Sequence, residues 1–146
     1  MAKTVEQWLN TVDYSNNQFY IPTDFALDFI NFVKLVNGGE GEENKTPVLH
    51  YKMLDTLVGK NNRIANMVHR GAAKTTIMAE YLFLYLAVHG GILPGFGYIE
   101  FALYVSDSID NGVKNMRKNL QFRYENSAFL QQYIKDARFT DIEWQF

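Results

Sequence analysis

The sequence predicts an α/β fold in which helices cover a parallel sheet, preceded by a helical extension. From about Asn61 onward, short apolar runs typical of buried strands alternate with segments whose apolar residues recur at helical spacing. Before that point the helical spacing alone is found. With 47% hydrophobic and 15% aromatic residues among 146, the chain can bury one core and is not a disordered tail.

Residues 1–45 are predicted to form a helical extension that ends in an acidic linker. Thr23-Asp24 can cap a helix, whose apolar face comprises Phe25, Phe29, Phe32, Val33 and Val36. The Gly- and Glu-rich residues 38–44 then end this helix as an exposed linker. Thr46-Pro47 begins a second helix that runs to about Val58, with the threonine as N-cap and the proline at the first helical position.

Residues 46–146 are predicted to form a second region built on three strands, at residues 64–69, 99–105 and 139–146. The second strand is nearly continuous in apolar residues, as expected of a buried parallel strand. A helix over residues 75–89 is apolar on nearly all sides. Another begins at Ser106-Asp107-Ser108, and its apolar face comprises Ile109, Val113, Met116, Leu120 and Tyr124.

A possible chemical site lies between the first of these strands and its helix, where residues 68–76 read Val-His-Arg-Gly-Ala-Ala-Lys-Thr-Thr. Such a loop can bind a polyphosphate. The small residues Gly71-Ala72-Ala73 let backbone N–H groups surround it, Lys74 reaches the terminal phosphates, and the Thr75 hydroxyl holds Mg²⁺. The helix that follows would direct its positive end at the phosphates.

The loop departs from the general pattern GxxxxGK[ST], because Val68 and Ala73 stand where that pattern has glycine. The alternative is a turn-rich strand-to-helix junction with a solvent-exposed lysine. If the loop binds phosphate, the order strand–loop–helix–strand–helix–strand is the opening part of an incomplete, ASCE-like P-loop NTPase fold of three layers.

Arg-Gly-x-Ala-Lys-[Ser/Thr]-Thr resembles the variant loop of the large terminase subunits, the DNA-packaging ATPases of tailed bacteriophages. The residues that carry the resemblance are Arg70, Gly71, Ala73, Lys74, Thr75 and Thr76. The resemblance implies ATP and Mg²⁺ as cofactors, with ATP contacted by residues 70–76, Ala72 included, and Mg²⁺ by Thr75. It implies catalytic roles for Lys74 and Arg70, and places adenine recognition near residues 50–61.

The resemblance covers about residue 46 to the C-terminus, and only the first portion of the family's ATPase domain. The Asp-Glu strand that supports Mg²⁺ and orients water has no counterpart in the sequence, nor has the nuclease domain. We therefore expect an N-terminal segment that is inactive alone and whose partner is the rest of the large subunit. In the whole protein the implied partners are double-stranded DNA, the portal and the small terminase subunit, in the cytoplasm of the infected bacterium.

Three side-chain groups leave alternatives open. Arg70 is either a catalytic arginine that stabilises charge on the γ-phosphate or a strand-end arginine bonded to carbonyls. Asp107 is favoured as part of a helix cap over a Mg²⁺ ligand. The basic set Lys114, Arg117 and Lys118 is better explained as a solvated helix face than as a DNA-phosphate patch.

Composition limits the classes of protein to which the chain can belong. A net charge of −2 gives no overall attraction to DNA, and the lack of cysteine excludes disulfides and thiolate metal sites. The three histidines lack ligand spacing. No signal peptide is evident, and the apolar run 77–88 is too short to span a bilayer, so an intracellular protein is expected. The competing function is a small non-catalytic nucleotide-binding or interaction module.

Overall fold

The computed structural model describes residues 6, 10, 12–13, 20–38, 45–60, 63–140 and 143–146. Their α-helices are, in chain order, α1 Asp24–Val36, α2 Val48–Asp55, α3 Leu82–Val88, α4 Lys114–Glu125 and α5 Ala128–Tyr133. Two π-helical segments lead directly into α3 and α4, and these are Thr76–Tyr81 and Ile109–Val113. The strands are β1 Val12–Asp13, β2 Thr46–Pro47, β3 Ile92–Leu93, β4 Gly97–Tyr98, β5 Arg138–Phe139 and β6 Trp144–Gln145.

The strands of the described residues form three separate two-stranded sheets. β1 pairs with β2 in parallel, whereas β3 with β4 and β5 with β6 form antiparallel hairpins. The mixed α/β class is confirmed at this coarse level. The larger parallel sheet that the sequence predicts is not formed by the described residues.

Two of the three predicted strands, named here the extended segments, form neither helix nor sheet within the described chain. Residues 64–69 and 99–105 have no sheet partner there. The prediction that 99–105 is buried is wrong, because Phe101, Leu103 and Val105 are 75–80% exposed. An extended backbone gains its hydrogen bonds from neighbouring strands, so apolar composition alone does not make a segment part of a sheet.

The third predicted strand, residues 139–146, is instead divided between β5 and β6, and Asp141 and Ile142 between them lie outside the described residues. Thr140 closes this hairpin, since its N–H donates to the Glu143 carbonyl over 2.9 Å. The predicted start of the second helix is also corrected. Thr46 belongs to β2, and Pro47 is the N-cap of α2 without a side-chain capping bond.

The prediction for α1 is confirmed. Thr23 is its N-cap, and the Thr23 hydroxyl accepts a hydrogen bond from the Ala26 N–H. Ring contacts between α1, α3 and α5 then form an aromatic cluster of Phe25, Phe29, Phe32, Tyr85, His89 and Phe129. Phe29 and Tyr85 stack at 5.0 Å, and this cluster is the centre of the helical core.

Candidate functional site

The candidate loop, residues 70–76, has a backbone conformation in which the sign of φ alternates. Gly71 has φ of +87° and Ala73 has φ of +51°, while Ala72 between them has a negative φ. Ala73 is the one non-glycine residue with positive φ in the described chain. Alternation of this kind turns successive N–H groups towards one side, which is the geometry of an anion-binding nest.

Ala73 occupies the position that is glycine in the general phosphate-loop pattern. A left-handed conformation brings Cβ close to the backbone and costs about 1–2 kcal/mol for residues other than glycine. Such strain is found more often at functional sites than elsewhere. The structure therefore keeps at Ala73 the backbone conformation that glycine normally supplies.

The side chains that would act on a ligand are exposed. Arg70, Lys74 and Thr75 are open to solvent, and Thr76 is half-buried. Helical structure begins at Lys74, and the Ile77 N–H donates to the Ala73 carbonyl over 3.0 Å. The first turn of this helix therefore adjoins the nest, as the sequence predicts for a loop at a helix N-terminus.

His50 contacts the loop through one nitrogen of its ring, a contact that the sequence analysis did not predict. Its Nε2 lies 3.0 Å from the carbonyl oxygen of Ala72. Because a carbonyl can only accept, Nε2 carries the hydrogen and donates it. The two residues are 22 positions apart, so no local sequence signal could have revealed the bond.

A polar network connects the helix that follows the loop to its neighbours. Glu80, only 4% exposed, accepts hydrogen bonds from Asn119 and, through one carboxylate oxygen, from Nε and Nη2 of Arg123 at 2.9 and 2.8 Å. Arg123 also donates to Tyr81, whose hydroxyl donates to Asn37 over 2.8 Å. The network ties the π-helical segment to α4 and to the end of α1.

Most of the other candidate side chains have structural partners. Ser108 is the N-cap of the second π-helical segment, so the capping prediction is confirmed for that serine, while Asp107 is exposed and accepts from Ser106. Lys114 pairs with Asp110 at 2.7 Å and lowers the pKa of that carboxyl by hydrogen bonding and charge. Arg117 donates to Gln121, and Lys118 is exposed.

Three aromatic side chains of the helix that follows the loop pack in the interior. Tyr81 and Tyr85 are buried and Phe83 is half-buried. Burial, followed by the charge of and hydrogen bond to Asp28, raises the pKa of Tyr85 above its ordinary value. These rings are therefore committed to the core.

Two cavities lie away from the loop. One of about 320 Å³ is lined by the ends of α1 and α4, including Asn37 and Arg123, and one of about 450 Å³ by residues between Ala87 and Phe146. Within the described ranges, no group of three or more His, Cys, Asp or Glu side chains could hold a metal ion. None of the helices there has both the length and the apolar character needed to cross a membrane.

No protein-family model, curated protein or solved structure matches this chain.

Proposed function

We propose that residues 70–76 bind the phosphates of ATP together with Mg²⁺, and that the chain is the N-terminal ATP-binding segment of a phage terminase large subunit. In this proposal Lys74 neutralises the β- and γ-phosphates, Thr75 ligates Mg²⁺, and Arg70 stabilises charge on the transferred phosphoryl group. The ATP-binding part rests on the geometry of the loop. The terminase part rests on the resemblance of the loop sequence.

The observation that carries the proposal is the left-handed Ala73, φ +51°, immediately before an exposed lysine and threonine at a helix start. A left-handed residue other than glycine carries a cost in free energy, and such residues cluster at functional sites. A nest that must present several N–H groups to an anion needs this conformation. The lysine and the helix start then add positive charge on the same short segment.

The exposure of the extended segments supports the proposal that a partner chain supplies further strands. Ile64, Ile99 and Tyr104 pack against the core, whereas the intervening Met67 is 97% exposed and Phe101 is 80% exposed. Apart from the Ile99 N–H, which donates to Gly91, residues 99–105 make no backbone-to-backbone hydrogen bond within the described chain. A strand from the remaining part of the large subunit would satisfy these groups and cover the exposed side chains.

Calorimetric titration with MgATP tests the binding step. The wild-type chain is expected to bind MgATP, and Lys74→Ala to weaken binding at least about tenfold, because a charge-assisted hydrogen bond of about 1.5–3 kcal/mol is lost. Lys118→Ala is the matched control, since Lys118 is also an exposed lysine but lies on α4. Equal affinity of the wild type and Lys74→Ala would reject the loop assignment.

Turnover separates the motor from a simple binding module. The 146 residues contain no Asp-Glu pair to orient the attacking water, so the chain alone is expected to hydrolyse ATP at background rate. Mixing it with the complementary part of a large terminase subunit should restore hydrolysis, and Arg70→Ala should then reduce the rate by about 10³-fold or more with little change in affinity. Binding of MgATP without any such restoration would favour the non-catalytic module.

A further inference from the structure

Each peptide unit of the loop places a carbonyl group as well as an N–H group. When φ alternates in sign along Gly71, Ala72 and Ala73, the N–H groups turn to one side and the carbonyl groups turn away from it. The Ala72 N–H makes only a long turn bond of 3.4 Å to the His69 carbonyl. The loop therefore needs an outside contact to keep its central residue in place.

His50 provides that contact from a rigid support. It lies on α2 beside Tyr51, which is fully buried, and α2 is anchored further along by Leu54, also fully buried. The turn after α2 is held in addition by the Gly95 N–H, which donates to the Leu57 carbonyl over 2.8 Å. A donor mounted on such a helix has little freedom to move.

The bond is made at the residue between the two left-handed positions. His50 Nε2 lies 3.0 Å from the Ala72 oxygen, and Ala72 is 7% exposed. Rotation of the Ala72–Ala73 peptide would move this carbonyl away from the imidazole and the Ala73 N–H out of the nest. The bond thus opposes the rotation by which the strained Ala73 would relax.

We propose that His50 is a positioning residue that holds the phosphate-binding loop in its nest conformation before any ligand arrives. The inference rests on the proposed function for its ligand, but the tether itself is a property of the free protein. Preorganisation of this kind strengthens binding because the ordering of the loop is completed beforehand.

Two variants and one matched control test the tether. His50→Ala removes the donor, and His50→Gln retains an N–H that can reach the same carbonyl. His89→Ala is the control, because His89 also bonds a backbone carbonyl, that of Tyr85 at 2.9 Å, but does so in the aromatic cluster. Amide hydrogen exchange is measured without ligand at Ala72 and Ile77, whose N–H groups donate to the His69 and Ala73 carbonyls. Calorimetric titration with MgATP and with inorganic pyrophosphate follows.

His50→Ala is expected to accelerate exchange of the Ala72 and Ile77 amides and to weaken pyrophosphate binding about fivefold, the equivalent of one net hydrogen bond of about 1 kcal/mol. His50→Gln should lie within about twofold of the wild type, and His89→Ala should leave both loop measurements unchanged while lowering the melting temperature. Wild-type exchange rates in His50→Ala, or no rescue by His50→Gln, would overturn the tether. If exchange accelerates as expected but the wild type binds neither ligand, the tether stands and the proposed function fails.

Discussion

The helical core and the extended segments have similar apolar side chains but opposite environments. Phe29 on α1 is fully buried in the aromatic cluster, whereas Phe101 in the segment 99–105 is 80% exposed. A helix satisfies its own backbone and needs only side-chain contacts, which neighbouring helices of this chain supply. An extended segment needs a neighbouring strand for its backbone as well, and the described residues offer none to residues 100–105. The helical core is therefore expected to be stable without a partner chain. The extended segments are expected to gain order when a partner chain pairs with them.

The loss of stability on truncation should differ most between Phe29 and Phe101. Phe29→Ala should lower the free energy of unfolding by about 3–5 kcal/mol, because it leaves a cavity in the core. Phe101→Ala removes the same atoms from an exposed position and should change it by less than about 0.5 kcal/mol. Urea denaturation of both variants provides the measurement. Comparable losses of unfolding free energy in the two variants would show that Phe101 is packed as tightly as Phe29.

The polar network around Glu80 is expected to stabilise the helical core. Arg123→Met leaves the Glu80 carboxylate buried without its ion-pair partner, and the free energy of unfolding should fall by about 3 kcal/mol. Asp110→Asn breaks the exposed pair with Lys114 and serves as control, with no measurable loss expected. If Arg123→Met had the same free energy of unfolding as the wild type, the network would not contribute to stability.

Alkaline pH tests the buried tyrosine of the aromatic cluster. Since the pKa of Tyr85 is raised in the folded state, the protonated phenol is favoured there more than in the unfolded chain. Its contribution to stability is full below the unfolded pKa of about 10 and is lost as pH rises above that value. The difference in unfolding free energy between wild type and Tyr85→Phe should decrease above that pH. A difference that stays constant into the alkaline range would contradict the raised pKa.

The smallest expected effect is a gain in stability. Ala73→Gly removes the left-handed strain of the loop and should raise the free energy of unfolding by up to about 1 kcal/mol. Ala65→Gly is the control in the extended segment 64–69, where added chain entropy should instead lower stability by about 0.5 kcal/mol. Thermal unfolding of the two variants should show shifts of opposite sign. A loss of stability in Ala73→Gly would mean that the alanine is not strained.

Features determined by neighbouring residues were predictable from the sequence. The Thr23 cap, the Ser108 cap and the helix after the loop all depend on side chains and backbone groups within one turn. The left-handed conformation of Ala73 was not predicted, because alanine does not favour positive φ.

Features determined by distant residues were not predictable. Apolar segments predict strands, but composition does not report whether a partner strand is present. The His50–Ala72 bond spans 22 residues and the Glu80–Arg123 pair spans 43, so both depend on how the helices pack. The π-helical turn at residues 76–81 also lacks a sequence signature of its own.

Amide hydrogen exchange of the wild-type chain, with and without MgATP, tests whether residues 70–76 bind ATP. At MgATP well above its dissociation constant, exchange over residues 71–76 should slow by about tenfold or more, because the ligand binds only the ordered nest. Residues 100–105 should exchange rapidly in both conditions, since the described chain gives their amides no backbone partner. Loop exchange that is unchanged at saturating MgATP would contradict the claim that residues 70–76 bind the phosphates of ATP.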